Sequence, residues 1–194
     1  VVTDRQLLWV GADARTQVRT CEPGHDLAFV DLFSGDGMPE HLATREFFAD
    51  LGRCLGGDGV VAMNAFLDAE HPESLRAVVA TLAGEFGAVA VAQQPHPPGQ
   101  PVTNAFLFAA RRPERLAELS GFRPRGGSRL PAGLAEPLAG TFAALRLVVS
   151  GSPWLAGAPI LTDEDNPLAV LAAPAQMAYR RRIAATIPDP ILAD

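Results

Sequence analysis

Two carboxylates in this chain stand where an apolar run stops. Residues 27–31, LAFVD, form a continuous apolar stretch ending on Asp31, and Ser34, Gly35, Asp36 and Gly37 follow within a few residues. A carboxylate at a strand tip overhangs a crevice, partly out of water. There it is available to a ligand. The structural alternative is that Asp31 caps the turn after it. Asp13 has the same placement, three residues after the apolar run at 6–10. One such group could accept hydrogen bonds from an amine-bearing ring while the other holds a cation.

The residues around them carry weaker signals. Ser34, Asp36 and the two glycines make a loop that a ligand can approach closely, because glycine tolerates backbone conformations other residues avoid. Asp36 either adds charge to the crevice or forms an Asx-turn. Glu40 and His41 fall at a helix start, where Glu40 suits the positive helix end and His41 is a candidate base. His96 sits in a Pro-rich loop, where a histidine is ordinarily just exposed. Asp163, Glu164 and Asp165 precede Asn166-Pro167, a pattern that a turn or N-cap explains. There is no metal-ligand spacing, no Ser-His-Asp order and no phosphate-cradling glycine loop opening a helix. All 16 basic residues are arginine, which excludes a Schiff-base or P-loop lysine.

The elements that must position these groups alternate. Strands are expected at 6–10, 27–31, 60–66, 87–93 and 103–110. Helices are expected from about 14 to 19, from 44 to 55 with Thr44 as N-cap, and from 71 to 86 with Pro72 in the first turn. Strand–helix–strand alternation with unbroken apolar strands implies an α/β fold on a mostly parallel sheet. The loop at 94–102 is too short for a crossover helix, so the last strand is expected to be antiparallel. Ligands in such sheets bind beyond the carboxyl ends of the strands, where Asp13 and Asp31 fall. After residue 112 the pattern weakens: a short helix at 113–119, a loop at 121–137, a segment at 139–149 read as helix, a turn and helical stub at 161–171, and a terminal helix at 176–185 bearing Arg180, Arg181 and Arg182. Residues 1–112 are expected to form a partial catalytic domain and 113–194 its carboxy-terminal extension.

The chain has 194 residues, 48% of them hydrophobic and 20% charged, and a net charge of −6. That suffices for a core and argues against nucleic-acid binding, which needs a basic face. The apolar stretches are too short to span a bilayer. The expected reading of Cys54 is a small buried thiol, with a disulfide to Cys21 possible. A reducing cytoplasm is the expected setting.

The stretch VDLFSGDGMPEHLATREFF at 30–48 resembles the spermidine synthase-like family, and LGGDGVVAMN at 55–64, TNAFLFAA at 103–110 and, more loosely, LTDEDNP at 161–167 extend the resemblance. It covers residues 5–110 well. The resemblance implies a Rossmann-like methyltransferase sheet, mostly parallel with an antiparallel last strand, whose amino-terminal strands lack a counterpart here. It implies decarboxylated S-adenosylmethionine, or S-adenosylmethionine, as co-substrate, an amine or other small nucleophile as acceptor, a homodimer, and no metal. It casts Asp31 as the carboxylate that orients and deprotonates the amine. Asp13 and Ala14 would meet the adenine, Pro39 and Leu42 would pack on the nucleoside, and Ser34, Asp36 and His96 would line the acceptor site. The chain departs from the family in having Ser34 where a second aspartate is usual and His96 where a tyrosine is usual. The family's glycine-rich loop and ribose-binding acid have no match before Gln6. A methyltransferase on the same fold and a non-catalytic, partner-binding form of it are the alternative readings.

Overall fold

The computed structural model describes residues 11–33, 37–68, 70–93, 102–121 and 133–186. The strand expected at 6–10 lies outside them, as do Ser34, Asp36 and His96.

Helix α1 (Ala14–Arg19) leads to strand β1 (His25–Val30), then a 3-10 turn (Glu40–Leu42) and helix α2 (Arg45–Cys54). Strand β2 (Leu55–Asp68), helix α3 (Glu73–Phe86) and strand β3 (Ala88–Gln93) follow, and strand β4 (Val102–Ala110) returns beside β3. Thr44 caps α2 as expected, its hydroxyl accepting from the Phe47 amide. Gly87, at φ 85°, ends α3 in a conformation that other residues rarely adopt. Pro72 is the N-cap of α3, one place earlier than the sequence suggested.

The sheet order is β1-β2-β4-β3, with strand β5 (Arg146–Val149) beyond β3. β1 and β2 pair in parallel, and β4 pairs antiparallel with both β2 and β3. The three strands β1, β2 and β3 therefore share one direction, and β4 is the reversed strand inserted between two of them. This is the Rossmann-like arrangement of an α/β sheet closed by a reversed hairpin strand. Close approach of β1 to β2 depends on Gly59, where an added Cβ would lie 2.9 Å from the His25 carbonyl oxygen.

Helices α2 and α3 cover one face of the sheet. Phe47, Phe48 and Leu51 of α2 and Leu82 of α3 bury against Val61 and Met63 of β2. Each large side chain so buried contributes roughly 1.5–3 kcal/mol. On the other face, Leu116 of helix α4 (Pro113–Ala117) packs on Ala88, Ala90 and Ala110. That cover stops short of β1. Leu27 and Phe29, pointing to the second face, remain 59% and 65% exposed, and β1 has no strand on its outer side among the described residues.

Three expectations change beyond residue 112. The segment 139–149 is not one helix: helix α5 (Ala135–Ala143) gives way to β5, which pairs antiparallel with β3. Val148 is buried between exposed Leu147 and Val149, the alternation of a strand with one covered face. The loop expected to reach 137 ends sooner, since α5 begins at Ala135. The stub and the terminal helix are one element, α6 (Leu168–Thr186), with Pro174 inside it. Proline removes one backbone donor, a loss that the exposed helix side near Val170 tolerates.

Cys54 is buried, as expected, but is bonded to Cys21. Their Cα atoms are 5.5 Å apart, within disulfide range. The link ties the connector after α1 to the end of α2.

Candidate functional site

The carboxyl end of β1 lies beside the middle of β2. Val30 is registered with Met63, which sets Asp31 beside Asn64. The Asn64 Nδ2 donates to Asp31 Oδ1 at 3.0 Å. Asp31 is exposed and has no ion pair among the described residues. It is not sealed in the core, and no backbone amide among the described residues holds it. The other end of the same amide is unusual: Asn64 Oδ1 is buried and accepts no hydrogen bond. A buried acceptor left unpaired costs about 1–3 kcal/mol. The exposed Asp31 carboxylate, steadied by the Asn64 amide, is thus the acceptor open to a group rich in N–H donors.

Asn64 was quoted in the sequence only within a resemblance, and not as a site residue. Its signal was available: the first apolar strand ends on Asp31, the second carries Asn64 within it, and a parallel register places the two side by side.

Asp13 lies at the entrance to α1. Its Oδ1 accepts from the Thr16 amide at 3.1 Å, making it the helix N-cap, and its Oδ2 lies 3.2 Å from His41 Nε2. The hydrogen bond from Thr16, then that from His41, holds its carboxyl below the ordinary range. Ala14 opens α1. Pro39 caps the 3-10 turn and is half-buried, while Leu42 is in the core at 4% exposure. Glu40 does not serve its own turn. Its Oε1 accepts from Ala169 and its backbone carbonyl from Asn166 Nδ2, so it fastens the start of α6.

The acidic cluster at 163–165 forms a turn, as expected: the Asp165 amide donates to Thr162 Oγ1 at 3.0 Å, and Asn166 Oδ1 accepts from Leu168. It also does something the sequence did not announce. Asp163 pairs with Arg15, a guanidinium buried at 7% exposure. Arg15 Nη1 also donates to the His41 carbonyl and to Thr44 Oγ1, each at 2.8 Å. One side chain thereby joins α1, the 3-10 turn, the cap of α2 and the 161–166 turn.

Burial pushes the Asp163 carboxyl up, but hydrogen bonds from Thr44 and Arg15 and the positive charge of Arg15 and Arg19 outweigh it. Its pKa falls below the ordinary 3.8. A carboxyl depressed by folding adds stability above its unfolded pKa, and this is lost as pH falls through the folded value. Chemical denaturation between pH 6 and pH 2 should therefore show an acid limb that steepens below about pH 4. Asp163→Asn should flatten it; an unchanged limb would place the acid sensitivity elsewhere.

No family model matches the chain. It is 34% identical over 62 residues to the polyamine aminopropyltransferase of Vibrio vulnificus (strain CMCP6), a match covering 32% of this chain and 21% of that protein. Its fold is similar to that of a probable spermidine synthase from Corynebacterium glutamicum ATCC 13032, with a TM-score of 0.54 at 19% identity over 78% of this chain and 52% of the other. The chain spans about half the length of that structure and a fifth of the curated relative. The resemblance to the spermidine synthase-like family is thus present in both sequence and fold, over part of the length of each relative.

Proposed function

We propose that this chain carries the amine-activating part of an aminopropyltransferase. The observation that carries the reading is the Asp31–Asn64 pair: an exposed carboxylate at a strand tip beside a buried carbonyl oxygen that accepts nothing. An ammonium or amine satisfies the exposed carboxylate. The sulfonium co-substrate, decarboxylated S-adenosylmethionine in this reading, supplies an activated methylene carbon next to positively charged sulfur. Asp31 holds the acceptor nitrogen with its lone pair aimed at that carbon and takes the proton released as the C–N bond forms and the C–S bond breaks. Asn64 fixes the carboxylate by its Nδ2 donation. Asp13 and Ala14 lie on the nucleoside side, with Pro39 above a packed floor that includes Leu42. Ser34, Asp36 and His96 belong to the acceptor side in this scheme. The donor set is suited to a cationic sulfur or nitrogen and calls on no metal. Residues 113–194 complete the same domain, and the working unit is a homodimer in the cytoplasm.

The test is to incubate the full polypeptide with decarboxylated S-adenosylmethionine and a primary amine and measure methylthioadenosine release. Titration against intact S-adenosylmethionine separates this from the methyltransferase reading: tighter binding of the intact form and methyl transfer would overturn it.

A further inference from the structure

A cavity opens one rung beyond Asp31, with neither Asp31 nor Asn64 among its lining residues. Asp31 and Asn64 form one cross-strand rung, and Phe33 and Phe66, two residues further along the same segments, form the next, with ring centroids 4.9 Å apart. Successive rungs on one side of a sheet lie roughly 7 Å apart. The Phe66 ring in turn lies 6.4 Å from that of Tyr179 on α6. These three rings, with Met38, Leu75 and Val78, wall a cavity of about 120 Å³ beneath α6. For comparison, an apolar protein cavity of about 150 Å³ stays dry and takes up benzene. Glu40 is on the wall, but its carboxylate already accepts from the α6 amide of Ala169. Among the described residues, Ser74 and Gln176 supply the remaining polar side chains besides the Tyr179 hydroxyl.

We infer that this cavity receives the apolar arm of the acceptor, so that the substrate class is a primary monoamine carrying an aromatic or short alkyl group. The inference rests on the reading of Asp31 as the amine-holding group. The nitrogen sits between Asp31 and Asn64, and the arm reaches one rung further to the aromatic rings. A second ammonium would have to leave water for a wall that, among the described residues, is mostly carbon, with Glu40 its one carboxylate. The aromatic faces and the cavity size suit a phenyl or butyl group.

The probes are phenethylamine, phenethyl alcohol and putrescine, titrated against the full polypeptide by isothermal calorimetry or ligand-observed NMR. Phenethylamine should bind at least tenfold tighter than putrescine. Ala172→Phe, which fills the cavity from α6, should weaken phenethylamine and phenethyl alcohol at least tenfold. Tyr179→Ala, a milder change that removes one wall, should weaken both severalfold, and circular dichroism checks that each variant is folded. Asp31→Asn should weaken phenethylamine and leave phenethyl alcohol unchanged. Putrescine binding as tight as phenethylamine, or folded variants that bind both aromatic probes like the parent, would overturn the inference. The two readings fail separately. This binding pattern without methylthioadenosine release removes the transferase and keeps the cavity. Transfer that favours putrescine and ignores Ala172→Phe keeps the transferase and removes the cavity.

Discussion

Asp31→Asn should lower aminopropyl transfer by about a thousandfold while leaving the melting temperature nearly unchanged. Asparagine has the same shape and can still pair with the Asn64 amide, so the crevice keeps its form. It cannot take the proton that leaves the attacking nitrogen, and it carries no charge to hold an ammonium. General-base assistance typically contributes 10²–10⁴-fold, and the loss should fall in the chemical step as well as in amine affinity. Stability should change by less than about 0.5 kcal/mol, the usual range for an exposed side chain away from special features. Single-turnover rates and a thermal melt on the same preparation check both halves. Turnover at the parental rate would remove Asp31 from the mechanism, whatever the fate of the fold.

Arg15→Ala should cost about 3 kcal/mol, the largest stability effect of any single polar change in the described residues. Breaking a buried ion pair from one side typically costs 3–5 kcal/mol. The lower end applies because the Asp163 side chain is 39% exposed and water can partly replace its partner. The remaining cost comes from Thr44 Oγ1 and the His41 carbonyl, which lose a charged donor. In a domain of this size the melting temperature should drop by about 10 °C. Arg15→Lys should recover little, since a single ammonium cannot reproduce the fork that reaches three acceptors on different elements. Urea unfolding measures the difference, and a loss under about 1 kcal/mol would show that the network is dispensable.

What could be read from the sequence divides by distance along the chain. The β1, β2 and β3 strands and the helices between them were legible because each carries its own periodicity and punctuation: Thr44 before α2, Pro72 before α3, Gly87 after it. The hairpin of β3 and β4 followed from loop length alone. β5 was misread because RLVV adjoins an alanine-rich helix and is only four residues long, so its strand character comes from pairing with β3 and not from its composition. α6 was divided at Pro174 because a proline ordinarily ends a helix, and nothing local announces an exception. At the site, Asp31 was visible as the end of an apolar run. Asn64 as its partner required the register of two strands. Arg15 was out of reach: its contact with Asp163 spans 148 positions, and an arginine in a short helix reads as solvated. The pairing of Cys21 with Cys54 was no more than possible from the sequence, since spacing alone does not bring two thiols together.

The uncovered flank of β1 bears on the chemistry as well as on handling. Leu27, Phe29 and Asp31 are alternate residues of one extended segment and share a side. A polypeptide surface laid over the two apolar residues would therefore also roof the carboxylate, shutting bulk water away from the reacting nitrogen. Left bare, the same ledge invites edge-to-edge association and dye uptake. Light scattering and fluorescent-dye titration of this stretch of chain, set beside solvent-isotope effects on turnover, would report on one and the same lid.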